Sequence, residues 1–230
     1  MGNTLSIIIP TLDEAAGIGA ALAALQPLRA AGTEIVVVDG GSGDGTPDVA
    51  APLADRLANA PQGRASQMNA GARLAGGDVL LFLHADTRLP PRADRLVLDG
   101  LAGSGRAWGR FDVHIDGRHR LLRLVAWLMN ARSRWTGIAT GDQAIFVRRD
   151  AFVAVGGFPA VPLMEDVALS GALKRVSRPL SLHERVTTSG RRWDARGVIP
   201  TIALMWWLRL RYFLGVSPER LAESYRHHPR

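Results

Sequence analysis

Residues 79–90 decide the fold and read Val-Leu-Leu-Phe-Leu-His-Ala-Asp-Thr-Arg-Leu-Pro. The first five of these residues are apolar, as in a β-strand that is buried on both faces. His84 and Asp86 end the run, and side chains two positions apart on a strand point to the same face. Because ligands of open α/β sheets gather at the carboxyl ends of the strands, we predict that these two side chains bind one common ligand, such as a metal ion. The alternative is an ordinary strand end with a turn-forming Asp.

Two more apolar strands are predicted upstream, at residues 5–10 and Glu34–Asp39. Helical patterns fill the intervals at residues 15–28, from Thr46 (a candidate N-cap, with Pro47 at the first helical position) and at residues 64–74. This alternation predicts the α/β class, with a mainly parallel central sheet and helices on both faces.

Acidic side chains follow each of the three predicted strands. They are Asp13 and Glu14, then Asp39 and Asp44, then His84 with Asp86. Since parallel strands place their carboxyl ends on one edge of the sheet, three such loops in succession predict a polar site at that edge.

Composition limits the classes of protein that need to be considered. A chain of 230 residues with 47% hydrophobic residues is long enough for one domain with a full core. Because there is no cysteine, disulfides, thiolate nucleophiles and cysteine-bound zinc are excluded. The amino-terminal residues lack the pattern of a secretory signal, so we expect a cytoplasmic location, with peripheral contact at the inner face of the cell membrane as an option.

The net charge of +7 is unevenly distributed, since residues 105–230 hold 21 of the 28 basic side chains. A basic half is typical of proteins that bind nucleic acid, anionic lipid or phosphorylated substrates. No nucleic-acid recognition motif is present, so we expect no nucleic-acid partner.

A series of short motifs resembles family-2 glycosyltransferases of the A-type, Rossmann-like fold over roughly residues 4–195. In order these are Ile7-Ile8-Ile9-Pro10-Thr11-Leu12-Asp13-Glu14, Val37-Val38-Asp39-Gly40-Gly41-Ser42, Asn69-Ala70-Gly71, His84-Ala85-Asp86, Gly156-Gly157-Phe158 and Glu165-Asp166. The forms Gly-Arg-Ala-Ser-Gln-Met-Asn-Ala-Gly and Leu-His-Ala-Asp-Thr, together with Gly-Arg-Arg-Trp, also resemble a compact bacterial subgroup linked with arsenosugar biosynthesis.

The resemblance implies transfer of a sugar, with inversion, from a nucleotide-diphosphate donor (a UDP-sugar first of all) to a hydroxyl of a small-molecule or lipid-linked acceptor. It implies that the nucleoside is bound by Thr11, Glu14, Asp39 and Arg64, with Asn69 as a further candidate. A carboxylate such as Asp39 can accept hydrogen bonds from a base N–H or from ribose hydroxyls.

The resemblance also implies a divalent metal cofactor, Mn²⁺ or Mg²⁺. Asp86 matches the second acid of the family's Asp-x-Asp motif, whereas His84 replaces the first. Imidazole suits manganese better than magnesium if His84 is a ligand. In the alternative arrangement, Asp86 holds the ion with water and diphosphate oxygens.

Catalysis is assigned by the same resemblance to the Glu165-Asp166 pair, with Asp166 as the general base that accepts the proton of the acceptor hydroxyl. Asp142 is the second candidate for the base, and Gln143 is expected on the sugar or acceptor side. Glu165 is expected beside the diphosphate or the acceptor.

Residues 188–193 resemble the Gln-x-x-Arg-Trp element of processive relatives, with Ser189 in place of the glutamine, which argues against polymer synthesis. Arg191 or Arg192 is expected to neutralise the leaving diphosphate, and Trp193 to stack on a sugar.

The apolar segment 198–215, which includes tryptophans and arginines, predicts an amphipathic helix that lies in a membrane interface, with packing on its own domain or on a second subunit as the alternatives. Residues 121–129 are a candidate for the other wall of the same surface. The expected organisation is a catalytic domain at 1–197, with a nucleotide-binding half (1–104) and an acceptor half (105–197), followed by a helical tail at 198–230.

Three other functions are weighed. A nucleotidyltransferase would carry a basic glycine-rich loop after the first strand, where this chain has Pro-Thr-Leu-Asp-Glu. A dinucleotide oxidoreductase would carry G-x-G-x-x-G spacing, which residues 41–45 lack. A sugar-nucleotide sensor without turnover is the non-enzymatic alternative, and the presence of both Asp86 and Asp166 argues against it.

Overall fold

The computed structural model describes residues 3–226, except for the side chains of Arg192, Ala195, Arg196 and Arg226. Within that range the chain forms eight strands and ten α-helices. The strands are β1 (Leu5–Thr11), β2 (Glu34–Asp39), β3 (Arg56–Asn59), β4 (Val79–Phe82), β5 (Thr87–Arg88), β6 (Trp108–Asp116), β7 (Phe146–Arg148) and β8 (Leu180–Ser189). The helices are α1 (Ala15–Ala30), α2 (Thr46–Ala50), α3 (Arg64–Leu74), α4 (Ala93–Ser104), α5 (Leu121–Thr136), α6 (Arg149–Ala154), α7 (Glu165–Val176), α8 (Arg191–Arg196), α9 (Val198–Phe213) and α10 (Pro218–Arg226).

All eight strands form one sheet in the order β3-β2-β1-β4-β7-β6-β8-β5. The pairs β1–β2, β2–β3, β1–β4 and β6–β8 are parallel, whereas β4–β7, β6–β7 and β5–β8 are antiparallel. The sheet is therefore mixed rather than mainly parallel. The prediction came from the strands of the first half, which are parallel. A strand was also predicted at residues 144–147, where β7 lies, but its antiparallel pairing with β4 was not.

Helices cover both faces of the sheet, as predicted. Alternate residues of the central strands point to opposite faces, so Ile7 and Ile9 join one core and Ile8 joins the other. The first core includes Leu22 of α1, and the second includes Met68 of α3. Both faces of β1, β2 and β4 are thus buried, which explains their unbroken apolar sequences.

Two local predictions need correction. The strand that was predicted to begin at Val79 and to carry His84 and Asp86 at its carboxyl end stops at Phe82, because the Thr87 N–H donates to the His84 carbonyl and closes a turn before β5. His84 and Asp86 therefore lie in a turn and do not share a strand face. Helix α2 has Gly45 at its N-cap, with φ of 85°, instead of Thr46.

Strand β3 was not predicted. It is a short edge strand with mostly exposed residues, so it lacks a hydrophobic pattern.

Helix α9 packs against α7 and α10 through one side. Leu208 joins a small core with Met164, Val167 and Leu221. Other large side chains of this segment face solvent, namely Ile199, Trp206, Leu210, Phe213 and Leu214. Within residues 3–226, every helix is too short or too polar to cross a lipid bilayer.

Candidate active site

A cavity of about 430 Å³ opens at the edge of the sheet where β1 and β4 end. Most of the predicted site residues line it, although they come from distant parts of the chain. They are Thr11, Glu14, Arg64, His84, Asp86, Asp142, Glu165, Asp166, Arg191 and Trp193. The polar edge predicted from three strand ends is therefore present, but Asp13, Asp39 and Asp44 do not line it.

The acid pair Glu165-Asp166 begins α7 and follows Met164, whose φ is 68°. A non-glycine residue in this left-handed region is uncommon and costs free energy, so the surrounding packing must hold it there. Glu165 is buried, and its pKa is raised by burial first and by the neighbouring Asp166 second. Glu165 therefore binds a proton more readily than an exposed glutamate does.

Asp166 is fixed by two backbone hydrogen bonds. The Gly141 N–H donates to its Oδ2 at 2.7 Å, and the Val167 N–H donates to its Oδ1 at 2.7 Å. Each carboxylate oxygen retains a further lone pair that can accept a proton or a hydrogen bond. The loop at Gly141 and the start of α7 thus hold this carboxylate at the cavity wall.

His84 packs on the same loop. Its Nδ1 lies 3.4 Å from Asp142 Oδ1, and a Cβ added at Gly141 would stand 2.4 Å from its Nε2. Both ring nitrogens therefore face residues 141–142. Glycine is required at 141 because a side chain there would occupy the volume of the imidazole.

Few side chains at the site could act as ligands of a metal ion. Among the described residues, no group of three or more His, Asp or Glu side chains is arranged to hold a metal ion. Asp86 is exposed and accepts a 3.4 Å hydrogen bond from the Thr87 hydroxyl, and His84 is the nearest other candidate in sequence. These residues fit a divalent ion only as a partial shell, which oxygens of a bound diphosphate and water would have to complete.

Arginines give the cavity its positive charge. Desolvation by the surrounding protein lowers the pKa of Arg64, but the Glu165, Asp142 and Asp166 carboxylates outweigh it, so the pKa lies above its ordinary value. Arg191 Nη2 lies 3.9 Å from Glu14 Oε2. Arg192, which was predicted beside Arg191, has a side chain outside the described residues.

Three predicted residues lie behind the cavity wall. Asp39 is buried and accepts hydrogen bonds from the N–H groups of Gly41 and Ser42 and from the Ser42 and Thr11 hydroxyls. Burial raises the pKa of Asp39, but these hydrogen bonds outweigh it and hold the pKa below its ordinary value. A nucleoside contact by this carboxylate stays a prediction, and it requires the 40–42 loop to move.

Asn69 and Gln143 likewise brace the structure. Asn69 donates to the Phe158 carbonyl at 2.8 Å and accepts from the Phe158 N–H at 2.9 Å. Gln143 is fully buried and accepts from the Thr140 N–H. Their predicted contacts with substrate stay predictions.

Several lining residues were not predicted. Gln67 donates to the carbonyls of Thr11 and Val38 and so holds the ends of β1 and β2. Helices α5 and α9 supply a second, more apolar wall that includes Val125, Met129, Ile202, Met205, Trp206 and Arg209. The helical spacing of their apolar residues was visible in the sequence, but it was interpreted as a surface for a membrane or a second subunit.

A mixed sheet with helices on both faces, and a cavity that gathers acids and arginines at the ends of β1 and β4, defines an A-type glycosyltransferase fold. Residues 6–158 match the family described as Glycosyl transferase family 2. The chain belongs to this family. The matched range ends before Asp166, so the family assignment does not depend on the proposed base.

Curated relatives carry glycosyltransferase names. The "PGL/p-HBAD biosynthesis glycosyltransferase" of Mycobacterium bovis is 38% identical over an alignment of 173 positions, and the match covers 66% of this chain and 62% of that protein. The "Probable glycosyltransferase YdaM" of Bacillus subtilis is 26% identical over an alignment of 227 positions, and the match covers 88% of this chain and 52% of that protein. The chain therefore spans about half to three fifths of their length. The arsenosugar subgroup stays a prediction.

Solved structures share the fold at low identity. A mannosyltransferase from Pyrobaculum calidifontis, in complex with GDP-Man and Mn²⁺, has a TM-score of 0.64 at 20% identity and covers 91% of this chain and 61% of that one. The S. aureus protein TarS (residues 1–349), in complex with UDP, has a TM-score of 0.65 at 16% identity and covers 81% and 60%.

Proposed function

We propose that this chain transfers a sugar from a nucleotide-diphosphate donor, a UDP-sugar first of all, to an acceptor hydroxyl with inversion of the anomeric carbon. The observation that carries the proposal is that Arg64, Asp86 and Asp166 line one cavity of a family-2 domain. Cation, metal ligand and base are the groups that this reaction requires.

The donor is proposed to bind at the strand ends, where Thr11, Glu14 and Arg64 line the cavity. Residues 1–104 would then form the nucleotide-binding half and residues 105–197 most of the acceptor half. Arg191 and Arg192 are proposed to neutralise the diphosphate, and Trp193 to contact a sugar ring. Because the fold neighbours are solved with GDP-Man and with UDP, both nucleotides belong in the first binding test.

A divalent ion would be held by Asp86 and the donor diphosphate, with His84 as a second ligand only if its ring leaves the Asp142 carboxylate. When bound, the ion supplies positive charge that stabilises the leaving diphosphate. Manganese accepts a mixed imidazole and oxygen shell, whereas magnesium prefers oxygen ligands.

Asp166 is proposed as the general base. The Gly141 N–H fixes Oδ2, which leaves the carboxylate free to accept the proton of a hydroxyl that attacks the anomeric carbon opposite the diphosphate. Glu165, with its raised pKa, would donate a hydrogen bond to the acceptor or the diphosphate when protonated. Asp142 is the second candidate for the base because it lines the same cavity.

The segment 198–215 is proposed as a contact surface for a membrane or for a second copy of the chain. Phe213 and Leu214 are 69% and 73% exposed, and Trp127 of α5 is 63% exposed. Aromatic and aliphatic side chains next to arginines are typical of helices that lie in a membrane interface.

The test of the proposed function is calorimetry with a panel of nucleoside diphosphates and nucleotide-sugars, with and without Mn²⁺, followed by a turnover assay. Metal-dependent binding of one nucleotide class, with sugar transfer or slow donor hydrolysis, supports the proposal. Binding without turnover for any acceptor would favour a sensor. Absence of binding for all nucleotides would contradict the proposal, and release of diphosphate from a nucleoside triphosphate would favour a nucleotidyltransferase.

A further inference from the structure

Helices α5 and α9, whose outer faces form the proposed contact surface, also line the cavity with their inner faces, and each presents apolar residues followed by an arginine. On α5, Val125 and Met129 line the cavity, and Arg132 follows at the i+7 position on the same face. On α9, Met205 lines the cavity and Arg209 follows it at i+4, also in the lining. The apolar wall therefore ends at Arg209, while Arg132 follows on the same face of α5 just outside the residues that line the cavity.

Arg132 is incompletely satisfied. Its Nη1 donates a 3.4 Å hydrogen bond to the Ile138 carbonyl, whereas Nε and Nη2 are buried without a partner. Buried donors of a charged group are costly to leave unpaired, so a ligand, an ion or a water molecule that completes the contacts of Arg132 would lower the free energy.

The two arginines influence each other. Burial first and the Arg209 cation second lower the pKa of Arg132 to about 10, while Asp166 acts in the opposite direction. The guanidinium stays charged at neutral pH. Among the described side chains, no carboxylate lies within ion-pair distance of Arg132 or Arg209. Two cations without a counter-ion thus lie near the proposed base.

We infer that Arg132 and Arg209 bind an oxyanion, a phosphate or a carboxylate, on the acceptor, while Met129 and Met205 contact an adjoining apolar part of the same molecule. The acceptor class is therefore an amphiphilic anionic alcohol. A guanidinium pair matches this chemistry because its planar N–H groups contact two oxygens at once. The inference rests on the proposed function, since it assigns the acceptor of that same site.

The donor diphosphate is a less suitable occupant of this pair. Arg64 and Arg191 already supply positive charge beside Glu14 and Thr11 at the strand ends. Arg132 and Arg209 instead come from the two helices that form the apolar wall.

The experiment uses the full chain saturated with UDP and Mn²⁺, so that the donor site is filled. Calorimetry then measures the binding of butyl phosphate, pentanoate, inorganic phosphate and butanol. We expect an anionic amphiphile to bind, inorganic phosphate to bind about 10-fold more weakly, and butanol to show no binding. Tighter binding of butyl phosphate than of pentanoate would indicate that the acceptor's oxyanion is a phosphate, and the reverse would indicate a carboxylate.

The variants are Arg132→Gln and Arg209→Gln, each expected to weaken binding of the anion about 10-fold with UDP affinity unchanged. Arg209→Lys should retain part of the affinity because it keeps the charge. Arg211→Gln is the matched control, since Arg211 lies on the same helix but stacks 4.6 Å from the Trp207 ring centroid. Thermal unfolding verifies that each variant is folded.

Three results would overturn the inference. These are equal affinity for butanol and butyl phosphate, unchanged anion affinity in both glutamine variants, and loss of UDP binding in those variants in place of anion binding. If the wild type binds no nucleotide, the proposed function fails as well. If UDP binds and no anion does, only this inference fails.

Discussion

His84 Nδ1 lies 3.4 Å from Asp142 Oδ1, so the residue after the central strand is paired with the loop that also holds Asp166. The imidazole takes the volume that a Gly141 side chain would need. The loop at residues 141–142 therefore contacts both His84, which lies near the proposed metal ligand Asp86, and Asp166, the proposed base.

Gly141→Ala is expected to displace His84 and lower kcat/KM by at least about 10-fold, with a loss of about 1–3 kcal/mol in the free energy of unfolding. The physical reason is the 2.4 Å contact between the added Cβ and His84 Nε2. Steady-state kinetics and urea denaturation measure the two effects. The matched control is Gly171→Ala in α7, where the added Cβ meets no atom within 4 Å, and a helical alanine should stabilise by about 0.5–1 kcal/mol. Equal behaviour of the two variants would contradict the prediction.

Asp166→Asn is expected to lower kcat by about 10²–10⁴-fold because asparagine cannot accept the proton of the acceptor. Donor affinity, measured by calorimetry, should be nearly unchanged. Asp150→Asn is a close control, because Asp150 also starts a helix and accepts a 2.7 Å hydrogen bond from the next N–H. If Asp142→Asn abolishes turnover and Asp166→Asn does not, Asp142 is the base.

Asp86→Ala is expected to weaken Mn²⁺-dependent nucleotide binding by about 10-fold or more, since it removes the carboxylate ligand. Mn²⁺ alone should bind weakly to the wild type, because the described residues hold no three-ligand group. Calorimetry with Mn²⁺ alone, with nucleotide alone and with both measures each of these affinities separately. Asp99→Ala, at an exposed position of α4, should leave all three titrations unchanged. Tight Mn²⁺ binding without nucleotide would contradict the proposal that the donor diphosphate supplies part of the metal's ligands.

Glu34 links stability to pH. It accepts hydrogen bonds from the Ser6 hydroxyl, the Gly76 N–H and Arg56 Nε. Burial raises its pKa, but these contacts outweigh it and the pKa falls below its ordinary value. The stabilisation is therefore fully present above the ordinary pKa of a glutamate and is lost as the pH falls through the folded-state pKa.

Glu34→Gln should accordingly lower the free energy of unfolding at neutral pH by about 1–3 kcal/mol, and its difference from the wild type should shrink in acid. Urea denaturation over an acid-to-neutral series tests this, with Asp99→Asn as the control. A difference that grows in acid would show that the sign is wrong.

The exposed end of α9 is tested by sedimentation with anionic vesicles at low salt. Phe213→Ser should reduce binding because it removes an apolar side chain from the proposed contact surface. Val153→Ser is matched in exposure at 69% but lies on α6, and it should have no effect. If the wild type neither binds vesicles nor dimerises, both proposals for residues 198–215 fail.

The first half of the fold could be predicted because β1, β2 and β4 are buried on both faces and therefore read as unbroken apolar runs. Strand β6 was missed because its centre holds Arg110, which is fully buried and paired with Asp112. A buried ion pair interrupts the apolar pattern that reveals a strand, and the pairing partner β8 lies far along the chain.

The candidate site likewise contains residues that could be proposed from the sequence and residues that could not. Asp86 and Asp166 could be proposed from the sequence because they stand in local motifs, and both line the cavity. Arg132 and Arg209 were not proposed from the sequence, because they come from two helices that are distant along the chain. The nucleoside contact of Asp39 stays a prediction, since its motif is present while its carboxylate accepts hydrogen bonds from its own loop.

The pairing of β5 with β8 links the two ends of the reaction. Thr87 Oγ1 donates to Thr188 Oγ1 at 3.1 Å, Asp86 directly precedes β5, and Arg191 follows β8. The turn that holds Asp86 and the segment that leads into α8 and α9 are therefore joined through two residue pairs. We accordingly predict compulsory-order kinetics with the donor entering first, and initial-rate kinetics with product inhibition would test this order.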